Sequence, residues 1–254
     1  MITLRRLTPG DRIALVAPAS PFSRDELDAG IAELKRLGLE AVYDETLLAR
    51  EGFVAGAAAV RADAIHRAWA DPSVKALFCM RGGYGSAQLL PLLDPALLRQ
   101  ARKALVGYSD ITALLAFYQR HGLAAIHGPM IDRRLSKGPA GYDEASLRAV
   151  LMTAAPAGEM RPDRLEVLHR GEAAGVLTGG TLTQIASLIG TPWAAEIPQG
   201  ALLFLEDVGE RPYRIHRMLT QLDQAGVLAR CGGIVFGECP DCDEPGGIPA
   251  IRDV

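Results

Sequence analysis

Ala104-Leu105-Val106-Gly107-Tyr108-Ser109-Asp110-Ile111-Thr112 holds a strand, a turn and the start of a helix. A short apolar run enters Gly-Tyr-Ser-Asp, and a helical pattern follows at once. Such a junction suits a serine on a sharp strand-to-helix turn, its hydroxyl exposed and a helix N-terminus behind it. One strand–helix unit earlier, Arg81-Gly82-Gly83-Tyr84-Gly85-Ser86 makes a second turn after another apolar strand. Consecutive glycines let backbone approach a ligand closely and present its N–H groups. Together the two turns suggest the nucleophile and the oxyanion site of a hydrolase.

The same rhythm extends outward. Arg12-Ile13-Ala14-Leu15-Val16-Ala17 reads as a buried parallel strand closed by Pro18. Ser23 and Glu26 form a capping box, Leu27, Ile31 and Leu34 share a helical face, and Gly38 stops that helix. A strand over 39–43, a helix over 55–70 and a strand over 74–80 follow. Strands alternating with helices imply an α/β fold with a mostly parallel sheet and helices on its faces. This N-terminal domain is expected over residues 1–133. Prolines and glycines between about 134 and 171 mark a connection, and a smaller C-terminal α/β domain is expected over 172–254. Within it, 175–180 reads as strand and turn, 181–189 as helix, 201–205 as a buried strand and 212–224 as an amphipathic helix.

At 254 residues, 49% hydrophobic and 22% charged, the chain can bury an ordinary core. A net charge of −3 gives no electrostatic reason to expect nucleic acid or an anionic membrane as partner. No signal-peptide core stands at the N-terminus and no segment approaches a membrane span, so a cytoplasmic enzyme is the expectation. Cys239 and Cys242 form a single CxxC, with Cys79 and Cys231 elsewhere. A structural zinc site ordinarily draws on two such pairs, so the cysteines read as reduced thiols and no metal site is expected.

The local patterns leave alternatives open. Ser109 suits an N-cap as well as a nucleophile, since Ile111 stands where an elbow motif would place its second glycine. The turn at Arg81–Gly85 fits an oxyanion donor with a substrate-binding Arg81, or a tight turn that needs glycine only for its backbone. It lacks the lysine and the glycine spacing of nucleotide loops. Glu206 and Asp207 end a hydrophobic strand, where an acid could orient a histidine or merely be solvated, and Glu210 is close behind. None of the five histidines (His66, His121, His127, His169, His216) carries a local signature of a catalytic base.

Taken in order, the motifs Ala17-Pro18-Ala19-Ser20, Arg81-Gly82-Gly83-Tyr84-Gly85, Gly107-Tyr108-Ser109-Asp110 and His127-Gly128-Pro129-Met130 are followed by further ones. These are Gly179-Gly180, Leu188-Ile189-Gly190-Thr191-Pro192-Trp193, Leu205-Glu206-Asp207 and Pro212-Tyr213-Arg214-Ile215. Over essentially its whole length the chain resembles the L,D-carboxypeptidase family of serine peptidases, the muramoyltetrapeptide carboxypeptidases, which also holds microcin-immunity-type peptidases. The resemblance implies Ser109 as nucleophile, Glu206 rather than Asp207 or Glu210 as the triad acid, and the N–H groups of Gly83 and Asp110 as the oxyanion hole. It implies release of terminal D-alanine from murein tetrapeptides, no metal or organic cofactor, and a homodimer. Arg81 is expected to contribute to substrate binding. The family's catalytic histidine lies in a Gly-His motif near the C-terminus. No Gly-His follows Glu206 here, and His216 falls where relatives usually carry Asp. The C-terminal domain is therefore expected to be truncated, with the histidine beyond Val254 and residues 248–254 opening another helix. Two other readings are the same machinery acting on peptidyl-nucleotide antibiotics in self-immunity, and a non-catalytic peptide-binding protein if the native chain lacks the histidine.

Overall fold

The computed structural model describes residues 4–160, 162 and 164–254. The chain divides into two units, Met1–Gly158 and Glu159–Val254. In the first, the strands are β1 (Arg12–Val16), β2 (Glu40–Val42), β3 (Val74–Cys79), β4 (Ala104–Gly107) and β5 (Ile126–His127). The helices are α1 (Arg24–Arg36), α2 (Ala58–Ala70), α3 (Pro95–Ala101), α4 (Thr112–Arg120) and α5 (Glu144–Met152). The sheet runs β2-β1-β3-β4-β5 with every pair parallel. Helices cover both faces of such a sheet, which is why β1, β3 and β4 are nearly continuous apolar runs.

The predicted capping box is present: Ser23 Oγ accepts from the Glu26 N–H at 3.2 Å, and Glu26 Oε2 accepts from the Ser23 N–H at 3.0 Å. On one face of the sheet Ile13, Leu15, Phe78 and Val106 pack with Leu27 and Leu34 of α1. On α2 and α4, Trp69 and Tyr118 are buried edge to face, and the indole N–H donates to the Tyr118 hydroxyl at 2.7 Å. Because all strands are parallel, the loops after β1, β3 and β4 emerge at one edge of the sheet. That edge is where parallel α/β sheets gather working residues.

Part of the segment read as a connection folds into this unit. Leu135, Leu147 and Leu151 join its core, and the Tyr142 hydroxyl donates to Glu33 Oε1 of α1 at 2.6 Å. Gly30 makes room for the approach: a Cβ there would lie 2.2 Å from Ile131. Helical spacing at 144–152 is too short to show from sequence which unit it belongs to.

The second unit holds β6 (Leu177–Thr181), α6 (Leu182–Leu188), β7 (Ala201–Glu206), α7 (Pro212–Gln224) and β8 (Cys231–Phe236). Its sheet is β6-β7-β8, again parallel. The core is built from Leu182, Ile185, Leu203, Leu205, Ile215 and Leu222. Two differences from the sequence reading stand out. β8 goes unpredicted because Gly232 and Gly233 interrupt its apolar run, and residues 248–254 hold a single 3₁₀ turn at Ile251–Asp253 rather than a helix. Cys242 is buried in this core with Cys239 packed against it, both as free thiols. Among the described residues no helix is long and apolar enough to cross a membrane.

Candidate active site

At the end of β4, Ser109 takes a left-handed backbone conformation, φ +61°. L-residues with a side chain seldom adopt it, and strain of this kind concentrates where a nucleophile is presented on a strand–turn–helix elbow. The N-cap alternative is not realised. Neither the 3₁₀ turn Ser109–Ile111 nor α4 is capped by a side chain, and among the described residues the Ser109 hydroxyl meets no hydrogen-bond partner. Two glycines make the elbow possible. A Cβ on Gly107 would lie 2.9 Å from Ile111 Cγ2, and one on Gly82 would lie 3.1 Å from Ser109 Oγ. The glycine turn after β3 therefore rests directly against the serine.

Polar side chains that sequence reasoning passed over fix these two turns to each other. Ser86 is wholly buried: its N–H donates to Asp110 Oδ2 at 2.8 Å and its hydroxyl to the Asp110 carbonyl at 2.5 Å. The Asp110 side chain, only 2% exposed, is thus a bracket for the elbow. Arg61 of α2, also buried, donates to the carbonyls of Gly56 at 2.8 Å and Gly85 at 3.0 Å, to the Pro18 carbonyl, and to Gln88 Oε1 at 2.5 Å. Desolvation lowers its pKa, opposed by the charge of Asp110. Gly83 sits at φ +93°, and among the described residues its N–H meets no acceptor. The only signal for Ser86 and Arg61 in the sequence is a polar residue inside an otherwise apolar pattern.

Arg81 is partly engaged within the protein. Its Nη1 donates to the Pro21 carbonyl at 3.1 Å, and its Nε lies 3.4 Å from Asp132 Oδ2. Asp132 is buried, which raises its pKa to about 6 against the opposing pull of Arg81. Of the histidines in this unit, His66 Nε2 accepts from the Asp94 N–H at 3.0 Å and so serves the start of α3. His121 stacks edge-on against Phe117 at 4.5 Å. The His127 ring lies 5.8 Å from that of Tyr108, and the protein around it depresses its pKa to about 4, leaving it neutral at pH 7.

In the second unit the structure separates the three acids that sequence left side by side. Asp207 is buried, and its Oδ2 accepts from the Thr183 N–H at 2.8 Å and hydroxyl at 2.7 Å, holding the first turn of α6. Glu210 pairs with Arg214 at 3.3 Å, one turn along. Glu206 ends β7 opposite Thr181 in the β6 register, and the Thr181 hydroxyl donates to Glu206 Oε1. Burial raises the Glu206 pKa, the Thr181 bond opposes this, and the Asp207 charge adds to it. His169 and His216 are exposed.

Comparison with known proteins fits this layout. The LD-carboxypeptidase N-terminal domain matches residues 13–128, and the LD-carboxypeptidase C-terminal domain matches 174–252. The murein tetrapeptide carboxypeptidase of Pseudomonas aeruginosa is 38% identical over 237 residues, covering 91% of this chain and 77% of that protein. The crystal structure of muramoyltetrapeptide carboxypeptidase from Oxalobacter formigenes superposes with a TM-score of 0.80 at 31% identity, covering 95% of this chain and 82% of that one. The microcin C7 self-immunity protein MccF in its apo state gives a TM-score of 0.86 at 23% identity over 100% of this chain and 85% of its own, a likeness of fold. With both halves matched in order and a relative this similar over 91% of the chain, the chain belongs to the LD-carboxypeptidase family.

Proposed function

We propose that this chain is a serine carboxypeptidase that hydrolyses the L,D-amide bond of murein tetrapeptides and releases the terminal D-alanine. The observation that carries the reading is Ser109, strained at φ +61° on its elbow with a hydroxyl that meets no hydrogen-bond partner among the described residues, in a chain 38% identical to a murein tetrapeptide carboxypeptidase. Ser109 Oγ attacks the scissile carbonyl carbon and passes its proton to a general base. The Gly83 and Asp110 N–H groups receive the oxyanion. The C–N bond then breaks, the base returns the proton to the departing D-alanine amine, and water releases the tripeptide from Ser109. By the family resemblance Glu206 supports the charged base; Asp207 holds the first turn of α6 and Glu210 pairs with Arg214. The family resemblance puts the base in a Gly-His motif after Glu206. Residues 207–254 contain only His216, preceded by Ile215. By the same resemblance the enzyme works in the cytoplasm as a homodimer.

The test is D-alanine release from an L,D-tetrapeptide by this chain and by any longer gene product that contains it, each beside its Ser109→Ala variant. Serine-dependent release supports the reading, and the form that shows it reports where the base lies. Release unaffected by Ser109→Ala overturns it. Turnover of a peptidyl-nucleotide in place of the tetrapeptide moves the substrate to the self-immunity class.

A further inference from the structure

We infer that Ser20, in the loop after β1, is a positioning residue for the oxyanion hole. The inference rests on the serine-peptidase reading and on the Gly83 N–H as an oxyanion donor. Three contacts converge on it. The Ser20 N–H donates to the Gly82 carbonyl at 3.0 Å, its Oγ accepts from the Tyr84 N–H at 3.1 Å, and its hydroxyl donates to the Phe53 carbonyl at 2.9 Å. In a trans peptide the carbonyl and the following N–H point to opposite sides. Fixing the Gly82 carbonyl toward Ser20 therefore turns the Gly83 N–H away from Ser20, and no described residue satisfies it there.

The side chain completes the lock. With both the Gly82 carbonyl and the Tyr84 N–H held, the two peptide planes flanking Gly83 are set, and Gly83 adopts φ +93°. The fit is close: a Cβ at Gly83 would lie 2.4 Å from Ser20 Oγ. Arg61 ties the carbonyls of Pro18 and Gly85 together behind this contact, so the loop that carries Ser20 and the glycine turn form one rigid piece. Gly82 in turn lies against Ser109. Ser20 thus relates the donor to the nucleophile through the glycine turn.

Losing one oxyanion donor outright costs about 10²–10³ in kcat, and loosening one costs part of that. In whichever form releases D-alanine, Ser20→Ala is expected to lower kcat roughly ten- to thirtyfold with KM within about twofold. Affinity for a peptide boronic acid, whose tetrahedral Ser109 adduct places an oxygen at the donor, is expected to fall in parallel. The Tyr84 amide is expected to exchange faster with solvent. Unchanged kcat and boronate affinity in Ser20→Ala, with Ser109→Ala inactive, overturns this inference alone. So does a lower melting temperature with an unchanged kcat at 25 °C, which is the signature of a merely structural serine. If no form releases D-alanine, or Ser109→Ala is as active as the parent, the peptidase reading falls and takes this inference with it.

Discussion

Ser109 gives up backbone comfort for its position. A residue with a side chain at φ +61° carries strain of order 1 kcal/mol, and glycine at the same place carries none. Ser109→Gly is therefore expected to raise stability by about 1 kcal/mol, a few degrees in Tm, while abolishing activity. Ser109→Ala keeps the strain and is expected to lose activity without that gain. Thermal melting of the two variants side by side checks this, and a Ser109→Gly protein that melts below the parent contradicts it. The neighbouring position acts through space: a Cβ on Gly82 would sit 3.0 Å from Ser109 Cβ. Gly82→Ala should cut kcat by roughly ten- to a hundredfold, since small misplacements of a reacting group have effects of that size. Circular dichroism should show the fold retained.

Elements are held together by contacts that no local pattern announces. Lys103, just before β4, is buried, and its ammonium donates to the carbonyls of Ala68 and Trp69 at 2.7 Å and Asp71 at 2.5 Å. It thereby closes the C-terminus of α2, where a cation also meets the negative end of the helix. Lys103→Met would leave those carbonyls without their donor and is expected to cost about 1–3 kcal/mol in denaturant unfolding. A loss under about 0.5 kcal/mol would mean that water replaces the ammonium there. The contrast with α1 explains what was legible in the sequence. The Ser23–Glu26 box spans three residues, so the pattern alone reveals it. Ser20, Arg61, Ser86 and Lys103 act across 24 to 64 residues of sequence. Their roles exist only once β1, β3 and β4 lie side by side. Ser109 falls between these cases: its turn is local and visible, whereas setting the cap reading aside takes its backbone angle and the lack of a side-chain cap at the turn among the described residues.

On the scale of the whole molecule, buried charge shapes the pH dependence of stability. Asp132 keeps its proton up to about pH 6 in the folded chain, against an ordinary value of 3.8. Between those values the folded state binds more protons than the unfolded one, so this contribution is full below 3.8 and lost as pH rises through 6. The difference corresponds to about 3 kcal/mol at most. His127 works in the opposite sense: its stability is present above 6.5 and lost as pH falls toward 4, so the parent's profile partly cancels. Subtraction isolates the acid. The stability of Asp132→Asn relative to the parent should improve by about 1–3 kcal/mol between pH 4 and pH 7, and a flat difference would show that Asp132 is ionised throughout. Chain organisation makes a separate prediction. Leu147 and Leu151 are packed into the first unit, and Leu182 into the second. Every described residue from Thr153 to Val176 is exposed and outside helix and strand. Proteases cut where backbone is neither buried nor hydrogen-bonded into an element. Limited trypsin digestion should therefore cut first at Arg164 or Arg170, giving two fragments that resist further cleavage because each keeps its own core. Mass spectrometry of the early products decides it. A first cut at Arg148, inside α5, would show instead that this helix opens before the exposed segment is cleaved, and that residues 144–152 belong to the connection after all.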